Sequence, residues 1–411
     1  MNFNITNLRE SIEFLNILFE KIPSVVMLVD KDLVVQEVND AYQVIFGLPR
    51  EQAVGQRCGN ALKCAFAVTE ETLCGETSNC EQCLLRQAAI QTLLQQVPAD
   101  QEKLVHTFFI NGSREERHFE FSTRYVTFHG EQMVLVILYD VTKLEVQKLE
   151  LIDKQSKIDE SLKAAGIVQL SLLPKKLPHV KTVDFSWKFI PCEGIGGDIL
   201  NVVHLDKDNI GLYMLDVAGH GAPSAMISVL VYQLMNSQTG ILLDNTTTPP
   251  LIRKPEEVLN LLDKEFPLMR FKRHFTIVYA VLNHRTGTLT YSNAAHCSPI
   301  VLTQDGVIKT LDVSGTVIGI GAMPFGQQTI ALSPGDKVVL FSDGVEEMGN
   351  ADNELFGSER LANTLIALRD TSTDGLVQGI YKQVMHFAGG HPPVDDLSIL
   401  AFEYKGTTSS V

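Results

Sequence analysis

Four aspartates in the C-terminal half stand in contexts that suit carboxylate chemistry: Asp198 in CEGIGGDILNVV, Asp216 in LYMLDVAGHGAPSAM, Asp343 in KVVLFSDGVEEM, and Asp395, followed by Asp396, in HPPVDDLSILAF. Three of the four adjoin a run of apolar, strand-like residues, which places a carboxylate at a strand end beside a glycine-containing or acidic turn and aims it into a cleft. Brought together, such groups repel one another and gain protons unless a cation neutralises them. Hard oxygen ligands suit Mg²⁺ or Mn²⁺, so the set reads as a two-metal hydrolase centre. Each aspartate taken singly is equally an Asp-Gly turn or a helix cap.

A second constellation lies at 58–83, CGNALKCAFAVTEETLCGETSNCEQC, which holds five of the seven cysteines. Cys64, Cys74, Cys80 and Cys83 give C-x₉-C-x₅-C-x₂-C, with Cys58 to spare. Four thiolates can hold Zn²⁺ or an iron–sulfur cluster; redox thiols and small buried hydrophobes are the other readings. An odd cysteine count argues against a secreted disulfide framework. No residue marks a haem or flavin ligand, and His106 and His118 read equally as core or surface histidines. GxSxG and GxxxxGK are absent, and C-x₅-R occurs only at Cys80–Arg86, across the end of the cysteine-rich stretch, which argues against covalent Ser or Cys catalysis and a P-loop enzyme.

The elements that must position these groups follow from length and pattern. The 411 residues carry 34 Lys+Arg against 49 Asp+Glu, a net charge of −15, with 45% apolar residues. That is globular composition in two or three units, and the acidic balance argues against nucleic-acid or anionic-membrane partners. With no signal-peptide pattern and no long charge-free apolar stretch, cytoplasmic residence is the expectation. An N-terminal helix over 1–19 precedes a region, 20–142, in which short apolar or alternating runs are separated by turns at Asp30-Lys31-Asp32, Asn111-Gly112 and His129-Gly130. This predicts an antiparallel sheet in a small α+β domain. Residues 143–173 change character. Leu144, Leu151, Ile158, Ala165 and Leu172 recur every seven positions, while the companion seam Lys148, Gln155, Leu162, Gln169 is mostly polar, which reads as a signalling helix that pairs two copies of the chain rather than a free-standing coiled coil. Residues 174–405 alternate strands with helical patches near 222–237, 255–265 and 373–388, a layered sheet domain, and 406–411 reads as a disordered tail.

Two resemblances attach to these regions. VVMLVDKDLVVQEVNDAY and VLVILYDVT resemble the opening and closing strands of PAS sensor domains, and the cysteine-rich stretch resembles an insertion found in some of them. From AAGIVQLSLLPKKLP through PCEGIGGDILNVV, YMLDVAGHGAPSAMIS, HFTIVYAVLN, LTYSNAAHCSPIVL and LSPGDKVVLFSDGVEE to DDLSILAF, the chain resembles the sporulation-stage-II-E branch of the metal-dependent type 2C serine/threonine phosphatases. That resemblance implies an α/β/β/α sandwich holding two Mn²⁺ or Mg²⁺ ions. It implies Asp198 as the first metal-binding Asp, Asp216 as the bridging one with the Val217 carbonyl beside it, Asp343 as the Asp of the (S/T)DG element, and Asp395 as the last ligand. It also implies a phosphorylated anti-anti-sigma protein as substrate. Asn201 stands where GGDxxD has a second Asp, and Ala295 where the NAGH element, here Asn293 to His296, has Gly. His220 reads as a turn organiser, His296 as structural or catalytic, and Cys297 as a packed thiol. An inert phosphatase fold serving as a binding module, or a hydrolase of small phosphates, would carry much of the same pattern.

Overall fold

In this computed structural model the described residues are 12–174, 177–192, 194–219 and 221–406. The first helix, α1, runs Ile12–Lys21; the rest of the helix expected over 1–19 and the tail beyond 406 lie outside the described residues. The chain divides between Gln155 and Ser156 into two compact units.

In the first unit, β1 (Val25–Val29), β2 (Val35–Val38), β3 (Ala99–Ile110), β4 (Ser113–Phe128) and β5 (Glu131–Asp140) form one antiparallel sheet in the order β2-β1-β5-β4-β3. The hairpins close where the turn chemistry allows: Asn111 and Gly112, and again His129 and Gly130, all have positive φ, the backbone that matches the twist of two-residue hairpins. Between β2 and β3 lie the short helices α2 (Asp40–Phe46), α3 (Arg50–Ala53), α4 (Cys58–Ala61) and α5 (Ala65–Thr69), then α6 (Leu84–Gln95). Alternation along β4 turns Phe119 and Phe121 inward onto Met27, Phe46, Phe108 and Val136. Phe108 meets Phe119 edge to face at 5.6 Å.

The helix α7 (Thr142–Leu170) is 29 residues long, and only Gly166 and Gln169 are buried along it. Leu144, Leu151 and Ile158 of the seven-residue stripe are 64%, 66% and 54% exposed. No helix among the described residues is long and apolar enough to cross a membrane.

The second unit begins with β6 (Val183–Ile190), β7 (Ile199–His204) and β8 (Asn209–Val217), followed by α8 (Ala222–Leu234), a two-strand ribbon of β9 (Leu243–Asp244) and β10 (Leu251–Ile252), α9 (Pro255–Glu265) and α10 (Leu268–Phe271). Then come β11 (Phe275–Asn283), β12 (Thr288–Ala294), β13 (Ile300–Leu302), β14 (Ile308–Thr310), β15 (Gln328–Ala331), β16 (Lys337–Phe341), α11 (Gly357–Ala367), α12 (Thr373–Ala388) and β17 (Leu397–Tyr404). Two antiparallel five-stranded sheets result, β15-β12-β11-β8-β7 and β14-β13-β16-β17-β6. Their inner faces share one core in which Leu212 and Val278 of one sheet join Val338, Leu400 and Phe402 of the other. Val231 of α8 and Val258, Leu259 and Leu262 of α9 cover the first sheet. Leu361 and Leu365 of α11 with Leu376, Ile380 and Val384 of α12 cover the second. The unit is an α/β/β/α sandwich, and the whole fold is α+β.

Candidate active site

The expected aspartates gather at one edge of this sandwich. Asp216 is the penultimate residue of β8, opposite Thr276 of β11. Asp198 is the last residue before β7, Asp343 begins the turn after β16, and Asp395 lies just before β17. The carboxylates lie close enough to repel one another: Asp216 raises Asp198, Asp343 and Asp395 raise Asp216, and Asp395 raises Asp343. Gly197 holds the Asp198 loop against β8, since a Cβ there would lie 2.8 Å from the Val217 carbonyl oxygen and 3.4 Å from the Asp216 carboxylate. The predicted main-chain ligand therefore sits beside both carboxylates.

The charges are poorly compensated by the protein. Burial first, then Asp343, Asp395 and Asp396, push Asp216 up to about 7. Asp198, 1% exposed, is raised by burial and then by Asp216 and Asp396, and Asp343 by burial, Asp395 and Glu347. The buried Oδ1 of Asp343 has no hydrogen-bond partner. Clustered carboxylates with an orphaned oxygen fit divalent cations, which replace the missing donors and suppress the repulsion. Asp198, Asp216 and Asp343 do not close on one point with Asp395, whereas Cys192, Asp395 and Asp396 place ligand atoms within 4.8 Å of one another.

Several contributors carry no sequence motif that would mark them. Asp396, 2% exposed, receives the N–H of Cys192 at 2.9 Å and that of Asp198 at 3.2 Å, clamping the Asp198 loop. Ser398 donates to Asp198 Oδ2 at 2.6 Å from 200 residues away. Gln169 of α7 bonds both backbone groups of Gly196. Arg273 donates from Nη1 to the Ala218 carbonyl at 2.6 Å, which brings a cation beside the turn after Val217. Adjacent acids and a lone Arg were visible in the sequence, but their partners were not.

The remaining expected residues fall into place as structure. Asn201 turns its Oδ1 to the N–H of Val202. Asn293 brackets the turn, accepting from the His296 N–H and donating to its carbonyl. His296 contacts Thr276 through Nδ1 at 2.8 Å, and burial lowers its pKa to about 4, so it is neutral at ordinary pH. Burial, followed by Asp343, Glu346, Asp198 and Asp216, pushes the Cys297 thiol up to about 12, which removes it as a nucleophile. Gly219 and Gly221 have φ of 87° and 78°, the left-handed region that a side chain would strain; His220 lies outside the described residues.

In the first unit Cys64, Cys74, Cys80 and Cys83 do line one cavity, joined by Cys58 and His106. No three of these groups place their ligand atoms within 4.8 Å of one another. A zinc ion with bonds of about 2.3 Å needs its sulfurs about 3.8 Å apart. The single-zinc expectation is therefore not met by this arrangement.

Residues 206–405 match the family described as Stage II sporulation protein E (SpoIIE), and residues 19–146 match the PAS fold. The chain is 27% identical over 265 residues to the phosphoserine phosphatase RsbU of Bacillus subtilis (strain 168), covering 63% of this chain and 74% of RsbU. It is 27% identical over 159 residues to the phosphoserine phosphatase RsbP of the same organism, covering 37% of this chain and 36% of RsbP. It thus spans little more than a third of that relative's length. The SiaA-PP2C domain of Pseudomonas aeruginosa has the same fold, with a TM-score of 0.52 at 23% identity over 61% of this chain and 98% of that domain. With the sandwich, the carboxylate edge and the N-terminal sheet all described, the chain carries a PAS-fold region followed by a SpoIIE-type region and is similar to the phosphoserine phosphatases RsbU and RsbP.

Proposed function

We propose that this protein removes phosphate from a phosphoserine or phosphothreonine of an anti-anti-sigma protein, under control of its PAS domain. The observation that carries this reading is the crowding of buried carboxylates, in which Asp216 raises Asp198, Asp343 and Asp395 raise Asp216, and Asp395 raises Asp343, with the Asp343 Oδ1 buried and unpartnered. The names of RsbU and RsbP support the substrate class.

Asp198, Asp216, Asp343, Asp395 and the Val217 carbonyl would hold two Mn²⁺ or Mg²⁺ ions. When bound, such ions lower the pKa of a coordinated water and neutralise phosphoryl oxygens. The chain's own residues prepare the site. Asp396 and Ser398 fix the Asp198 loop, Gly197 brings that loop onto β8, and Arg273 lies beside the turn after Val217, where an anionic phosphoryl group would approach. Cys297 and His296 are neutral and take no proton at ordinary pH.

Residues 20–142 act in this reading as the sensor, 143–173 as the signalling helix and 174–405 as the catalytic domain. The exposed Leu144, Leu151 and Ile158 support a homodimer paired through α7. The direct experiment is phosphate release from a phosphoserine anti-anti-sigma protein with Mn²⁺, with Mg²⁺ and with neither. Metal-dependent turnover well above that on small phosphate esters supports the reading. Binding of the phosphoprotein without turnover in either metal would replace it with an inert binding module.

A further inference from the structure

The cavity of the first unit is lined by Cys58, Cys64, Cys74, Cys80 and Cys83 above an apolar floor that includes Leu62 and Val136. Its volume, about 40 Å³ measured to the centres of water-sized spheres, equals three or four such spheres at about 10–15 Å³ each. A compact ligand fits. The thiols arrive from separate segments, Cys64 just before α5, Cys74 in the following loop, Cys80 at the start of a 3₁₀ turn and Cys83 just before α6. Gly59 makes room for two of them, since a Cβ there would lie 2.8 Å from the Cys74 sulfur and 3.5 Å from Cys64 Cβ.

The sulfurs are met by donors suited to thiolates. Cys80 Sγ accepts the Gly75 N–H at 3.0 Å and lies 2.9 Å from Thr77 Oγ1, and Cys64 Sγ lies 2.9 Å from His106 Nε2. A neutral thiol sulfur is only a weak acceptor, so paired donors at one sulfur favour its anionic form. Burial alone would raise the Cys80 pKa, yet these donors and the Arg86 guanidinium hold it below the usual value. Arg86 lines the same cavity.

Spacing decides among ligands. The thiols share one cavity, yet no three are close enough to bind a single tetrahedral ion. An iron–sulfur cluster spreads its thiolates over several irons bridged by sulfide, and so spans wider gaps. Cys64 and Cys74 each feel the charges of Cys80 and Cys83, and Cys83 feels that of Cys80, whereas burial and then Cys74, Cys83 and Cys64 hold the Cys58 thiol well above its ordinary pKa, which makes it the poorest thiolate of the five.

We propose that this cavity binds an iron–sulfur cluster through the thiolates of Cys64, Cys74, Cys80 and Cys83, with His106 donating to the Cys64 sulfur. Taking up a preformed cluster from a thiolate complex is ligand exchange: four iron–thiolate bonds to the donor break, four to the cysteines form, the cysteine protons pass to the departing thiolates, and no electron is transferred. The inference is independent of the phosphatase reading.

The test uses the full chain, purified without oxygen and, separately, stripped and reconstituted with ferric iron, sulfide and a dithiol reductant. Iron and acid-labile sulfide are counted per chain, with visible absorption and electron paramagnetic resonance after reduction. The expected result is equal iron and sulfide, about two or four of each, with a broad visible band bleached by reductant. C64S, C74S, C80S and C83S should each lower bound iron at least about fivefold, a loss expected when a ligand of a Cys₄ site is removed, while C58A and C297S keep it; thermal unfolding of each variant identifies any that fails to fold. One zinc per chain without sulfide, or neither metal nor sulfide after reconstitution, would overturn the proposal. So would folded C64S, C74S, C80S and C83S variants with undiminished iron.

Discussion

Gln169 and Gly196 are bonded to each other twice: the Gly196 N–H donates to Gln169 Oε1 at 3.0 Å, and Gln169 Nε2 donates to the Gly196 carbonyl at 2.7 Å. The same Nε2 reaches Ser228 Oγ of α8 at 3.2 Å. One side chain near the end of α7 thus satisfies a whole peptide group two residues before Asp198. Replacement by leucine leaves that buried peptide unpaired, at about 1–3 kcal/mol. Q169L should therefore unfold several degrees lower and bind Mn²⁺ more weakly, read by calorimetry of the metal-free and metal-loaded chains. An unchanged melting temperature would show that water takes over both bonds.

Asp216 is buried within reach of the charges of Asp198, Asp343, Asp395 and Asp396. In Asp216→Asn the amide keeps the shape and removes one charge, so metal-dependent phosphate release should fall at least about a hundredfold. Without metal, the same variant should melt higher than the parent, because a buried repulsion is gone. Loss of activity together with a lower metal-free melting temperature would mean that Asp216 supports the fold rather than the ions.

The raised pKa of Asp216, about 7 in the metal-free fold, gives a pH dependence with a definite sign. The unfolded carboxyl ionises near the ordinary value, so between there and pH 7 the folded chain holds the extra proton, and Asp216 costs stability as pH rises. Metal binding must expel that proton. Mn²⁺ affinity should rise about tenfold per pH unit for each proton displaced, up to about pH 7, and then level off. Titration calorimetry in buffers of different ionisation enthalpy would detect the released proton. Affinity that is flat over this range would contradict the assignment.

Ala295 has φ of 55°, a left-handed backbone that costs a residue bearing Cβ about 1–2 kcal/mol and costs glycine almost nothing. Part of the gain in Ala295→Gly is offset by the freer unfolded chain, leaving about 0.5–1 kcal/mol of stabilisation. A rise of a few degrees in thermal unfolding with unaltered kcat is the expected result. A lower melting temperature would place the methyl group's packing above the backbone strain.

The site was legible where chemistry and local structure coincide. An aspartate between an apolar run and a glycine-containing turn marks a strand end, and Asp198, Asp216 and Asp343 could be located that way. The turns at Asn111-Gly112 and His129-Gly130 were readable for the same reason, because residue type alone supplies positive φ. What holds the site together depends on contacts across the fold. Ser398 meets Asp198 across 200 residues, and Asp396 meets Cys192 across 204. No local pattern marks which of two adjacent aspartates binds metal and which binds backbone. The helix at Gly357–Ala367 was also missed, since its buried residues Leu361 and Leu365 are too few for a clear periodicity.

Gln169 also occupies the polar seam of the seven-residue pattern in α7, where an apolar residue would have strengthened pairing. Its polarity is accounted for by Gly196. Because successive residues of an α-helix stand about 100° apart, an amide moved one position along the last turns of α7 would face away from Gly196 and Ser228, so these turns are held in phase by the Asp198 loop and α8. The heptad spacing thus gives way, at the end of α7, to a position whose residue type is set by the sandwich and not by helix pairing, and a chain designed to strengthen the stripe with leucine at every seam position would disarm this bond.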